Sequence, residues 1–280
     1  MNCGLAFADP NEYSNERKTV VGCHKKVLMA CSVKTSSRSE MLLMKFETTV
    51  KEIIPRTANV TSYRFPRPAE LDYKPGQFLF ITIKPTGKEL SKHFSFSSSP
   101  TEKTHIEFTK KFTDSEFSAA LKTLKPDDWA RIEAPFGEFT FEGEHEKIGM
   151  LAGGIGITPL ISICKYCTDK QLKTKITMLY GCRTESDIAF RKELEEMQRQ
   201  NSNLKVVFTV NEAQSGWKGA VGVINAEMLR REIPDYNETV FYTCGPPPMV
   251  EVMEKLIESL GLPTTQLKRE YFAGYTPEHS

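Results

Sequence analysis

Near residue 147 the hydrophobic pattern of this 280-residue chain changes period, and that change constrains the fold more than any other feature. From Lys45 to about Glu146 the apolar segments are short and alternating. Phe46 to Ile54, Val60 to Phe65, Phe78 to Ile83 and His105 to Thr109 predict strands. Pro66 and Pro68, Pro75-Gly76, Pro85-Thr86-Gly87, Pro126-Asp127-Asp128 and Pro135-Phe136-Gly137 supply the turns between them. One helix is expected, near Ser115 to Leu124. Short strands at this spacing with a single helix predict a small antiparallel barrel.

From Lys147 onward strands and helices alternate. Strands are expected at Ile148 to Ala152, Ile176 to Tyr180, Val206 to Val210 and Val240 to Cys244. Helices are expected at Pro159 to Cys167, Asp187 to Gln198, Ala226 to Arg231 and Pro248 to Leu260, the first with proline in its first turn. Such alternation implies a doubly wound parallel sheet. The expected organisation is a weakly ordered extension over 1–43, the barrel over 44–146 and the α/β unit over 147–280.

Composition removes several function classes. Lysine and arginine total 37 against 36 acidic residues, which argues against a nucleic-acid binder and against charge-driven disorder. No uncharged apolar run reaches the roughly 18 residues of a membrane span. Seven scattered cysteines suit a reducing, cytoplasmic setting better than a disulfide framework. In the first 43 residues Cys3, Cys23 and Cys31 match no zinc spacing, so no metal site is expected. Leu28-Met29-Ala30-Cys31 looks like a lipoprotein box but lacks the apolar segment upstream. The reading is an extension, or a chain whose true start is Met41 or Met44.

The strongest local signal is Gly153-Gly154-Ile155-Gly156-Ile157-Thr158-Pro159, which follows a strand and opens a helix. Glycines let backbone approach a ligand closely, and a helix start offers free N–H groups to a pyrophosphate. Two later strands break on the same sheet edge, at Tyr180-Gly181-Cys182-Arg183 and at Cys244-Gly245-Pro246-Pro247-Pro248-Met249. Three such exits at the carboxyl ends of parallel strands predict a dinucleotide crevice. Arg183 stands where it can reach a phosphate or stack on adenine, or simply be a solvated surface arginine. In the barrel half, Lys92-His93-Phe94-Ser95-Phe96-Ser97 alternates an aromatic face with a hydroxyl face. That suits a flat ring with a phosphate tail, or an ordinary strand with a polar outer side. Ser115-Glu116-Phe117-Ser118 begins the barrel helix and is a second potential anion site.

Together these motifs resemble the ferredoxin–NAD(P)H reductase superfamily, over about residues 45–275. Pro75-Gly76-Gln77-Phe78 is similar to its P-G-Q-F entry, and Lys92-His93-Phe94-Ser95 to its R-x-[YF]-S flavin motif. Ser118 matches the serine of a G-x-x-S phosphate turn. Gly153 to Pro159 matches G-G-x-G-x-T-P, Tyr180 to Arg183 matches Y-G-x-R, and Cys244-Gly245-Pro246 matches C-G-P. Glu270-Tyr271-Phe272 resembles the terminal acidic-x-aromatic segment. Lys92 in place of arginine, Ser115 in place of glycine and Ala134 in place of the glycine before Pro135 depart from the pattern.

The resemblance implies an antiparallel six-stranded flavin-binding barrel followed by a doubly wound parallel-sheet NAD(P)-binding domain, with FAD preferred to FMN. It assigns Lys92, His93, Phe94, Ser95, Thr109, Lys110, Ser115, Ser118 and Phe272 to the flavin. Gly153, Gly154, Gly156, Thr158, Arg183, Cys244, Gly245 and Pro246 go to the nucleotide. Ser95, Cys244 and Glu270 would serve hydride transfer, although Cys244 could be a plain buried thiol and Phe272 a core aromatic. No C-x4-C-x2-C cluster follows the module, and 43 leading residues are too few for a globin, so the electron acceptor is expected to be separate. A ferredoxin, a flavodoxin or a monooxygenase component would fit, as would work as a flavin electron-transfer subunit inside a larger redox complex. The choice of NADH or NADPH stays open, because Arg183, Arg191 and Lys192 favour a phosphate and Glu185 and Asp187 a free hydroxyl.

Overall fold

The computed structural model describes residues 42–85 and 87–272, so the expected extension lies outside the described residues apart from Leu42 and Leu43. The antiparallel half has two sheets. One runs β1 (Met44–Thr49), β7 (Trp129–Phe136), β4 (Phe78–Ile83) and β5 (Leu90–Ser95) in spatial order. The other runs β2 (Glu52–Thr57), β3 (Val60–Pro66) and β6 (His105–Lys111). A bridge between Phe96 and Phe108 joins them.

The expected strand Phe46 to Ile54 is therefore two strands. Val50 is fully buried and exchanges backbone hydrogen bonds with the Asp127–Asp128 turn, whereas the Lys51 N–H already donates to Arg64. The chain changes sheets at that point, and with β1 and β2 taken as one bent strand the barrel has six. Its core is aromatic and β-branched, with Tyr63, Phe65, Ile81, Phe96 and Phe108 at most 1% exposed. The one helix, α1 (Glu116–Thr123), is capped by Ser115, whose side chain accepts from the Ser118 N–H.

The second half is a six-stranded parallel sheet. Its spatial order is β11 (Ala220–Val221), β10 (Leu204–Val210), β9 (Lys175–Cys182), β8 (Lys147–Gly153), β12 (Val240–Gly245) and β13 (Leu267–Tyr271). The helices are α2 (Ile157–Asp169), α3 (Arg191–Gln200), α4 (Ala226–Glu232) and α5 (Pro247–Ser259). Order reverses at β8, whose carboxyl end carries the glycine loop, so the switch point of the sheet lies where sequence placed the crevice. Helix α3 starts later than expected. The Asp187 side chain closes a capping box with Thr184 around a short 3-10 turn, which takes it out of the helix.

Pro75-Gly76 fixes the turn into β4. Gly76 has φ +100, and a Cβ there would lie 2.0 Å from the Phe139 carbonyl oxygen. Gly76→Ala is therefore expected to cost about 3 kcal/mol or more, from left-handed strain plus backbone displacement. A urea-unfolding midpoint unchanged in that variant would contradict the packing.

Candidate functional site

The glycine loop borders two spaces between the halves, and a further cavity of about 540 Å³ lies between Arg56, Ser97 and Glu107 of the barrel and Lys165, Phe190 and Glu193 of the α/β half. The first of the two at the loop is a cavity of about 120 Å³. β4 and β5 give it Phe78, His93, Phe94 and Ser95, and β6 gives Thr109. Ile155 and Thr158 come from the loop and α2, and Glu270, Tyr271 and Phe272 from the end of β13. The sheet register explains these neighbours, since Phe78 pairs with Ser95 and Cys244 with Glu270. Ser95 is buried although Ser91 and His93 on the same face of β5 are exposed, so its burial is local, beside the Glu270–Phe272 segment that shares the cavity.

Glu270 is the electrostatic centre of this cavity. Burial pushes its carboxyl up to about 7, and a hydrogen bond donated by the Ser95 hydroxyl works against that rise. Its Oε2 is buried with no hydrogen-bond partner among the described residues. An unpaired buried carboxyl oxygen facing a cavity is costly unless protonated or met by a ligand donor.

Cys244 lies behind the cavity wall. It is fully buried, burial raises its thiol, and Sγ donates to the Gly156 carbonyl at 2.8 Å. Gly156 packs so tightly that a Cβ would sit 2.0 Å from the Cys244 carbonyl oxygen. Gly245 has φ +146, and its carbonyl accepts from the Phe272 N–H at 2.8 Å, which ties the β13 end to the turn before Pro246. Cys244, Gly245 and Pro246 thus shape the loop without lining either space.

At the start of α1 the hydroxyls serve one another. Ser118 is fully buried, its Oγ accepts from the Thr113 N–H at 3.1 Å, and Ser115 is taken up in capping. Positive charge gathers on the other side of the barrel rim. Lys110 is buried and falls to about 8 through burial and the nearby Lys92 and Lys111. Lys92 itself is exposed, as is His93, whose imidazole is lowered by partial burial and by Lys92.

The second space is a crevice of about 350 Å³ across the carboxyl ends of β8, β9 and β10. Gly153, Gly154 and Ile155 form its floor, and Arg183, Asp187 and Asn211 stand at the sheet edge. Met249, Val252 and Met253 of α5 close one side, and Asn59, Val60 and Lys111 of the barrel the other. Arg183 is largely exposed, and its Nε is paired with Glu212 at 2.8 Å. Ile155 lines both spaces, so contents of the two would meet there. Phe78, Tyr271 and Lys111 were not among the expected site residues, whereas Ile155 belongs to the expected glycine loop and Asp187 was weighed as a partner for a ribose hydroxyl. Phe78 was within reach, being the last residue of the Pro75–Phe78 motif.

An oxidoreductase FAD-binding domain model matches residues 45–141, and an oxidoreductase NAD-binding domain model matches residues 150–255. An NADH-cytochrome b5 reductase 1 from Aspergillus terreus is 32% identical over 241 residues, 80% of this chain and 81% of the relative. The chain belongs to the ferredoxin–NAD(P)H reductase superfamily. The reductase also resembles an NADH-cytochrome b5 reductase 1 from Mortierella alpina, 30% identical over 92% of this chain and 89% of that one. Among solved structures, the cytochrome b5 reductase domain of Ulva prolifera nitrate reductase superposes with TM-score 0.72 at 25% identity. That match covers 81% of this chain and 97% of the other. A Neisseria gonorrhoeae ferredoxin NADP+ reductase shares the fold, with TM-score 0.71 at 18% identity over 81% of this chain and 98% of the other. The reductase is an FAD-dependent oxidoreductase with NAD(P)H as donor. Among the described residues no helix is long and apolar enough to cross a membrane, and no cluster of side chains could hold a metal ion.

Proposed function

We propose that this reductase takes hydride from NADH and delivers electrons to a small haem carrier of the cytochrome b5 type. The observation that carries the reading is the shared wall at Ile155, which brings a crevice at the glycine loop and an aromatic-lined cavity together. The names of the relatives favour a cytochrome b5 acceptor over ferredoxin or flavodoxin.

The residues fit FAD. Phe78, Phe94 and Phe272 offer apolar faces to a flat ring, and the orphaned Glu270 Oε2 needs a polar partner inside the cavity. Lys92 and Lys110 repel each other, and an anionic phosphate beside them would relieve that. The first-turn N–H groups of α1, rather than the engaged Ser115 and Ser118 hydroxyls, would face the phosphates. When bound, FAD supplies hydride acceptance and release of electrons one at a time.

The chain's own groups then orient and insulate. Gly153 and Gly154 admit the dinucleotide backbone, and Thr158, whose hydroxyl donates to the Ile155 carbonyl at 3.2 Å, braces the loop between the two ligands. Ser95 and Glu270 hold a proton at the cavity edge, because a carboxyl near 7 exchanges it at neutral pH. Phe272 covers the cavity from β13, and Cys244 positions Gly156 from behind.

The crevice electrostatics suit NADH. Arg183 is neutralised by Glu212, and Arg191 pairs with Glu185 and Glu195, so neither cation is free for a 2′-phosphate. Glu212→Ala is expected to improve kcat/KM for NADPH by about fivefold, as loss of an exposed pair would allow. Steady-state rates with both nucleotides check this, and an unchanged NADPH rate would count against the assignment. The four described cysteines are free and buried, which suits a reducing compartment.

The overall test is direct. The purified protein should be yellow, bleach anaerobically on NADH, and reduce cytochrome b5 faster than ferredoxin or flavodoxin. Protein that takes up no flavin would end the reading; equal rates with all three carriers would end its acceptor part.

A further inference from the structure

We propose that Arg56 is a positioning residue for hydride transfer, holding the nucleotide-binding half in register with the wall of the flavin cavity. The inference rests on the function proposed above and adds a group that touches neither ligand space.

Arg56 is the penultimate residue of β2, with a side chain only 11% exposed, and every edge of its guanidinium is used. Nε donates to Ser62 Oγ at 2.8 Å, and Nη2 donates to Glu107 at 3.1 Å. Nη1 donates to Glu193 of α3, across the boundary between the halves. The guanidinium carbon lies 4.6 Å from the centre of the Phe190 ring. Phe190 sits at the start of α3 with φ +60, a left-handed conformation that a bulky residue keeps only when its surroundings enforce it.

The contacts continue in both directions. On the barrel side Ser62 Oγ is 2.6 Å from Thr109 Oγ1, and Ser97 bridges Glu107 and Thr109 at 2.8 Å each. Thr109 lines the flavin cavity. On the other side Asp187 and Ala189, just before Phe190, line the nucleotide crevice. One chain of hydrogen bonds and ring contact therefore runs from the crevice wall to the cavity wall through a single guanidinium. Both guanidinium groups are shared between two carboxylates, Arg64 pairing with Glu107 and Glu52 and Arg56 with Glu107 and Glu193. A planar fork of five donors can serve Ser62, Glu107, Glu193 and a ring face together, which an ammonium cannot.

The alternative is an ion pair that only adds stability. Two variants separate the cases: Arg56→Ala removes the whole junction, and Glu193→Gln removes only the arm that crosses between the halves. With flavin-saturated protein and saturating NADH, flavin reduction should slow by about tenfold in Arg56→Ala and about threefold in Glu193→Gln. KM should stay within about twofold, because the lost contacts touch no ligand. Arg56→Lys should recover less than half of the loss. In flavin-free protein, amide hydrogen exchange at Phe190–Leu194 and in β6 near Thr109 should rise together by about tenfold in Arg56→Ala.

Wild-type reduction rates in both variants would overturn the proposal, even if both unfold more easily. Should Arg56→Ala fail to fold, Glu193→Gln alone decides, since Glu193 is a half-exposed residue on a helix surface. Wild-type protein that NADH does not reduce would instead defeat the functional reading, and exchange at the two segments would still report whether Arg56 joins them.

Discussion

Gly156→Ala is expected to lower kcat/KM for NADH by about 100-fold, equivalent to about 3 kcal/mol of transition-state stabilisation. The added Cβ would stand 2.0 Å from the Cys244 carbonyl oxygen and 3.0 Å from its carbon, both backbone atoms. Neither side can yield cheaply. Gly156 leads directly into α2, whose residues 157–164 are all buried, and Cys244 is held between β8 and β13. The loop and the end of β12 would have to part, which breaks the Cys244 Sγ–Gly156 bond and shifts Thr158 against the cavity. Gly154 is the control. It has φ +50 but nothing within 4 Å of a Cβ, so Gly154→Ala should cost only backbone strain of about 1 kcal/mol in stability. Stopped-flow reduction of both variants checks the contrast. A Gly156→Ala protein reduced within threefold of wild type would show that the close approach is dispensable.

Glu270→Gln is expected to stabilise the flavin-free protein at pH 8 by about 2 kcal/mol while slowing flavin reduction by about tenfold once FAD is restored. Burial raises this carboxyl from its ordinary 4.5 to about 7, so between those values the folded chain binds more protons than the unfolded one. Stability from this group is complete at low pH, falls as pH rises through that window, and levels off above 7. The full shift corresponds to about 3 kcal/mol, reduced by the partial solvent access of the site. The amide carries no charge to desolvate, so the variant should show no gain at pH 4 and most of it at pH 8. Urea melts across pH 4 to 8 test this. Reduction in the variant should also lose the pH inflection near 7, and an inflection that persisted would assign it to another group.

What sequence conveyed best was chemistry carried by contiguous residues. The Gly153–Pro159 loop, the Tyr180–Arg183 and Cys244–Met249 exits and the Lys92–Ser95 strand all fall where their local pattern put them, because glycine placement and period-two alternation are local properties. Arg56 was invisible, since its partners Glu107 and Glu193 are 51 and 137 residues away and only the packed halves bring them together. The sheet change at Val50 was equally hidden, because nothing in an alternating run says where a strand swaps neighbours. β13 reads Leu-Lys-Arg-Glu-Tyr, and at an exposed edge it has no apolar period to betray it. Glu270 was therefore found through resemblance alone. The Ser115–Ser118 pair carried the right residue types, but tertiary contacts turned those hydroxyls toward one another.

The parallel edge strand β13 has a consequence for biosynthesis. Every strand of the two barrel sheets lies within residues 44–136, so that half can close as soon as it leaves the ribosome. The cavity beside it stays without its third wall until Glu270, Tyr271 and Phe272 arrive, more than 130 residues later. Pairing of β13 with β12 is then the step that shuts the compartment. The aromatic cavity has all its walls only once residues 267–272 have been made.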